Sequence, residues 1–216
     1  MPYLLQHNDL YFPPVDEADD EGLLAFGGDL SVERLMAAYP KGIFPWYEGD
    51  MPLWWCPNPR FVLFPDELKI SKSLQQLLKR KHFGFTVNYN FAAVIRYCQQ
   101  VERPGQDGTW ITEDIISSYT KLHELGYAFS AETWQDGELV GGLYGIRMGD
   151  VFFGESMFSL VSNASKFAFA SYMNLLKEEG IKLIDCQIYT PYLESFGARM
   201  IDRDHFIQLL EQHIKA

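Results

Sequence analysis

Residues 127–158 constrain the fold more than any other stretch of this chain. They read as three consecutive strands, 127–134, 138–148 and 151–158, joined by Asp136-Gly137 and Gly149-Asp150. Such Gly/Asp pairs supply the backbone angles that two-residue hairpin turns require. Strands linked that tightly run antiparallel, because a parallel pair needs a long crossover. The period then changes. A helix is predicted from Asn163 to Gly180, and the apolar run 181–188 reads as a buried strand. A short helix over 190–196, a short strand over 198–201 and a last helix from Asp202 follow. This order predicts an α+β fold, a mixed sheet flanked by helices.

Upstream, 61–65 reads as a short strand closed by Pro65, 71–81 as a helix starting near Ser71, and 83–88 as a weak strand. An apolar-rich helix over 90–101 and a loop at 105–108 come next. Thr112 then caps a helix to Leu125, with Glu113 and Asp114 in its first turn and Gly126 as its stop. Residues 1–60 differ in character. One helix is predicted at 31–39, capped by Ser31. Around it, Phe12-Pro13-Pro14, Gly27-Gly28, Phe44-Pro45-Trp46 and Trp54-Trp55-Cys56-Pro57-Asn58-Pro59 predict loops and bends rather than regular elements. We therefore expect a small irregular N-terminal domain over 1–82 and a mixed-sheet core over 83–216.

At 47% hydrophobic and 15% aromatic, the 216 residues have ample apolar surface for a core. A net charge of −11 argues against a generic polyanion binder, but the excess is uneven. Residues 1–29 hold seven carboxylates and no Lys or Arg, and the other 187 residues carry 18 basic and 22 acidic side chains. No apolar run approaches the roughly 20 residues of a membrane helix, and no secretory signal is visible. Cys56, Cys98 and Cys186 form no CxxC pair, so structural zinc and a disulfide framework are not expected. A reduced, cytoplasmic setting follows.

Several constellations could carry chemistry. Glu155 sits among Phe152, Phe153 and Phe158, and alternation places it on one face with Met157. A carboxylate there needs a partner or a cleft; the plain alternative is the solvent face of an edge strand. Asp185 and Gln187 are also expected to share a face. Gln187 could orient a reacting group but not store a proton, whereas Asp185 could polarise it or accept the proton itself. A structural hydrogen bond is the alternative. The turn from Ser159 to Lys166 has no glycine, whereas acyltransferase cores of the Gcn5-related type, which this strand order resembles, cradle a pyrophosphate with a Gly-rich turn there. Coenzyme A is therefore disfavoured. The run Lys69, Lys72, Lys79, Arg80, Lys81, with His82, is a basic island that suits phosphate contact or a solvated helix face. Trp46, Trp54, Trp55 and Trp110 are stacking platforms for bases or core anchors. No catalytic Ser/His/Asp arrangement, Walker or HExxH pattern occurs.

Taken together, FGGDLSVERLMAAYPKGIFPW at 26–46, WWCPNPR at 54–60, GTWIT at 108–112, GELVGGLYG at 137–145, GESMFS at 154–159, NASK at 163–166 and LIDCQ at 183–187 resemble, in order, the signature of the leucyl/phenylalanyl-tRNA–protein transferases. The resemblance implies a small N-terminal domain joined to a Gcn5-related core. It implies transfer of leucine or phenylalanine (methionine less well) from aminoacyl-tRNA to the N-terminal Arg or Lys of a protein, which marks that protein for degradation. No metal and no coenzyme A would be used, no membrane would be involved, and the chain would act as a monomer. Asp185, Gln187 and Glu155 would be catalytic. Trp46 and Trp110 would hold the terminal adenosine. Leu143, Ser156, Met157, Phe158 and Tyr172 would bind the amino acid. Lys79, Arg80 and Lys81 would contact tRNA phosphates. The segment Tyr192–Ala198 departs from the family's His-Leu-x-Ser-Leu-Gly-Ala. Two rivals from other classes are a coenzyme-A-dependent acyltransferase and a non-catalytic binder of basic N-termini.

Overall fold

The computed structural model describes residues 1–7, 9–80, 82–101 and 109–214. The loop expected at 105–108 and the basic residue Lys81 lie outside these.

The N-terminal part is more regular than expected. Strands β1 (Tyr3–Leu5), β2 (Leu23–Gly27), β3 (Phe44–Pro45) and β4 (Leu53–Trp55) form a sheet of order β1-β2-β4-β3. β1 is parallel to β2, and the other two pairs are antiparallel. These strands are two to five residues long, too short for alternation to be visible among the Pro and Gly residues. Pro45 fits because β3 is an edge, where a missing N–H costs no ladder bond. Between β2 and β3 lies helix α1 (Val32–Ala38). The Ser31 hydroxyl caps it by accepting the Arg34 N–H. A single 3-10 turn, Tyr39–Lys41, then ends at Gly42, whose φ is +73°. A Cβ at Gly42 would stand 2.8 Å from the Phe206 ring, so chirality and space both require glycine.

The remaining elements are β5 (Arg60–Leu63), α2 (Lys72–Lys79), β6 (Gly84–Val87), α3 (Phe91–Gln100), α4 (Glu113–Glu124), β7 (Ala128–Gln135), β8 (Glu138–Met148), β9 (Val151–Ser159), α5 (Ala164–Glu178), β10 (Leu183–Asp185), α6 (Pro191–Glu194), β11 (Arg199–Ile201) and α7 (Arg203–His213). Their strands form one mixed sheet of order β11-β5-β10-β9-β8-β7-β6. β9 and β10 are parallel, joined by the crossover helix α5, and the other pairs are antiparallel. β5 lies inside this sheet, between β11 and β10. The two sheets therefore divide between Trp55 and Arg60, not at residue 82.

One face of the large sheet packs on α3, α4, α7 and the N-terminal part, burying Ile115, Tyr119, Tyr144, Phe153 and Phe206 together. The other face packs on α5, burying Phe152, Phe169, Tyr172, Met173 and Leu176. Ser71, Asn90 and Thr112 cap α2, α3 and α4 as their residue types predict. Asn163 does not cap α5; it takes a left-handed φ of +67°, and the Ser159 hydroxyl accepts the Ser165 N–H instead. Asp202 likewise makes no side-chain cap. The buried strand expected over 181–188 is only three residues long, because Gln187 turns the chain with a φ of +63°.

Candidate active site

That early turn opens the sheet. β9 pairs with β10 as far as Phe153 opposite Asp185 and then runs on to Ser159 beside β8 alone. The gap left where two parallel neighbours part is a common place for a ligand in an open sheet. Here it holds a cavity of about 350 Å³. Leu143, Phe152, Met157, Phe169 and Ile184 give it apolar walls, and Trp46 and Trp110 border it. The volume falls at the small end of the roughly 300–1,000 Å³ usual for small-molecule pockets.

Glu155 owes its position to a β-bulge. Tyr144 opposes Ser156 and Gly145 opposes Gly154, so Glu155 has no partner across the ladder. Gly145 permits this, because a Cβ there would fall 2.2 Å from the Phe153 carbonyl. The extra residue breaks the alternation. Glu155 therefore faces Tyr39 and Tyr119, whereas Met157 packs on the α5 side; the two do not share a face as alternation predicts. Tyr39 donates to Glu155 Oε1 at 2.8 Å, Tyr119 to Oε2 at 3.2 Å, and Gln187 Nε2 to Oε1 at 3.2 Å. The two phenol oxygens, their protons turned to Glu155, also lie against each other. Burial drives the Glu155 carboxyl up to about 7, and the phenols pull against it by donating to the charged form. Burial and the neighbouring Glu155 keep both phenols protonated far above their ordinary range.

Asp185 is fully buried. Arg60 grips it with both arms of its fork, Nε to Oδ1 at 2.8 Å and Nη2 to Oδ2 at 2.6 Å. The third arm, Nη1, donates to the Gly42 carbonyl at 2.9 Å, and the guanidinium lies 4.7 and 4.5 Å from the centres of the Phe44 and Phe206 rings. Asp185 Oδ1 also accepts the Gln187 N–H at 2.9 Å, which holds the left-handed turn. Asp185 and Gln187 are thus linked through the backbone rather than by sharing a strand face. Cys186 between them is buried, and burial pushes its thiol up, away from reactivity.

The other candidates separate. Leu143, Ser156 and Met157 line the cavity beside Glu155. Phe158 does not: it lies on the opposite face, stacked on Tyr97 at 4.9 Å. Tyr172 does not either, standing one layer back, edge-on to Phe152 at 5.2 Å. Of the tryptophans, Trp54 is fully buried and bonds the Gly27 carbonyl, which makes it a core anchor. Trp55 bonds the Trp46 carbonyl and supports that ring at 5.8 Å. Lys79 and Arg80 are exposed at the C-terminal end of α2. Leu77 and Leu78 pack that end against Ala164 and Phe167, at the start of α5. Ser165 there is bonded to Tyr192, which lines the cavity.

Sequence reasoning missed Arg60, Tyr39, Tyr119 and the lining role of Tyr192. Arg60 lies in WWCPNPR, and an arginine opening an apolar strand is a signal of buried charge. The Tyr39 and Tyr119 positions carry no such local sign.

Sheet order, crossover helix and a pocket at the parted strands define an α+β protein with a mixed-sheet core and a second sheet packed against it. The model for leucyl/phenylalanyl-tRNA protein transferase matches residues 62–211, and the model for the N-terminal domain of that transferase matches 28–58. A leucyl/phenylalanyl-tRNA–protein transferase of Flavobacterium johnsoniae is 58% identical, over 94% of this chain and 96% of its own. That of Syntrophus aciditrophicus is 54% identical, over 95% of this chain and 87% of its own. The chain belongs to the leucyl/phenylalanyl-tRNA–protein transferase family. Among solved structures, L-PGS of Bacillus licheniformis is 14% identical with a TM-score of 0.41, over 80% of this chain and 57% of that one. A GCN5-related N-acetyltransferase-like protein of Streptococcus suis is 14% identical at 0.38, over 67% and 60%.

Proposed function

We propose that this chain moves leucine or phenylalanine, and methionine less well, from aminoacyl-tRNA to the N-terminal Arg or Lys of an acceptor protein, in the cytoplasm and as a monomer. The product would carry an N-terminal degradation signal. The observation that carries this reading is the pairing of an apolar cavity with polar groups at its side: Leu143 and Met157 next to Glu155 and Gln187. The cavity suits a large apolar side chain, and the carboxylate suits the acceptor's amino group. An ester to tRNA is already activated, so positioning the amine about 3 Å from the carbonyl does much of the work. Trp46 and Trp110 at the border would receive the terminal adenosine. Lys79 and Arg80, exposed at the end of α2 that packs on the start of α5, would contact phosphates, as would Lys81. Asp185 and Gln187 form the centre that orients the amine.

The test is transfer of labelled leucine and phenylalanine from charged tRNA to a peptide beginning with Arg. Transfer that needs N-terminal Arg or Lys is expected. Peptide binding without turnover would instead make the chain a binder of basic N-termini, and acetyl transfer from acetyl-coenzyme A would make it a conventional acyltransferase.

A further inference from the structure

Two carboxylates stand at the centre, and their environments differ in kind. Asp185 is fully buried, and both of its oxygens are held by Arg60. Protonating it would strand a buried guanidinium, which stays charged at any working pH. Glu155 opens onto the cavity, and its hydrogen-bond donors, Tyr39, Tyr119 and Gln187, are all neutral. It can gain a proton without breaking an ion pair.

We propose that Glu155, not Asp185, carries the proton during aminoacyl transfer. This rests on the transfer reading above. The neutral α-amine of the acceptor attacks the ester carbonyl carbon, the N–C bond forms, and the carbonyl electron pair moves to oxygen. The nitrogen gives one proton to the Glu155 carboxylate. When the oxyanion collapses, the bond to the ribose oxygen of the terminal adenosine breaks, and that oxygen takes the proton from Glu155. The products are an amide and a free hydroxyl, and the carboxylate is restored without any co-reactant. Tyr39, Tyr119, Gln187, Asp185 and Arg60 face Glu155 from the turn after α1, from α4, from the segment after β10, from β10 and from β5. Their balance leaves Glu155 near neutrality, at about 7, where one carboxyl serves as both base and acid. Tyr39 and Tyr119 are positioning residues that set this balance.

The experiment measures two quantities on the full chain. The first is the titration of the Glu155 side-chain carboxyl by carbon NMR, assigned through Glu155→Gln. The second is the pH profile of single-turnover transfer to one Arg-peptide. The acceptor amine titrates identically in every variant, so differences between variants report the enzyme. Tyr39→Phe removes a donor to the charged form, so the Glu155 midpoint and the acid limb of the rate should rise together. Tyr119→Phe should act the same way and serves if Tyr39→Phe does not fold. Glu155→Gln should slow transfer by about 10²–10⁴-fold. Its remaining profile should no longer respond to Tyr39→Phe. The proposal is overturned if the rate limb stays in place while the Glu155 midpoint moves, or if the Glu155→Gln profile still shifts with Tyr39→Phe. A wild-type chain that transfers nothing at any pH overturns the functional reading, and the proton role with it, whatever the Glu155 midpoint.

Discussion

Removing the Arg60 guanidinium leaves Asp185 as a buried anion with one backbone N–H for company. Breaking one side of such a pair costs about 3–5 kcal/mol. Arg60→Met should lower stability by that amount in urea, while the double variant with Asp185→Leu should recover part of it. Glu155 works in the opposite sense. Its carboxyl is raised from 4.5 to about 7 in the folded chain, so between those pH values the folded state binds more protons than the unfolded one. Stability therefore falls as pH rises through that window, by something of the order of 3 kcal/mol. Glu155→Gln should flatten this slope, giving a protein less active but more stable at pH 8. At the cavity wall, Leu143→Phe fills space beside Met157 and should favour transfer of leucine over phenylalanine in competition assays, within the roughly 1–3 kcal/mol per methylene that apolar pockets reach. Glu155, Asp185 and Gln187 were legible as polar groups in apolar settings. Their partners were not, because Arg60 and Asp185 are 125 residues apart and the pairing exists only once β5 enters the sheet.

Among the elements, α2 offers the sharpest test. Replacing Lys79 and Arg80 by Gln should weaken binding of charged tRNA and reduce the slope of log affinity against log salt by about one unit per lost phosphate contact. An unchanged slope would make this end of α2 a solvated face. The helices and the long strands were readable because their signals are local: Ser31, Ser71 and Thr112 cap, and Asp136-Gly137 turns. The bulge at Glu155 was not, since it is a property of register between β8 and β9 rather than of either strand. That bulge is why Phe158 and Met157 exchanged the faces alternation assigns them. The three-residue β10 was overestimated because apolar character continues through Ile188, while Gln187 ends the strand by its backbone angle.

For the whole molecule, the apolar layer containing Tyr39, Phe44, Tyr119, Phe153 and Phe206 crosses from the N-terminal sheet to the core without a break. One cooperative transition is therefore expected when unfolding is followed both by tryptophan fluorescence and by far-ultraviolet circular dichroism. Two separated transitions would mean that the units are energetically independent. The Tyr39–Trp46 segment belongs to the small unit, while Glu155 and Gln187 belong to the large one. A molecule filling the cavity consequently fastens one unit to the other, like a rivet through two plates. A non-reactive aminoacyl-adenosine analogue at a hundred times its Kd adds about 2.7 kcal/mol to the folded state. The slowing of amide exchange should appear on both plates at once.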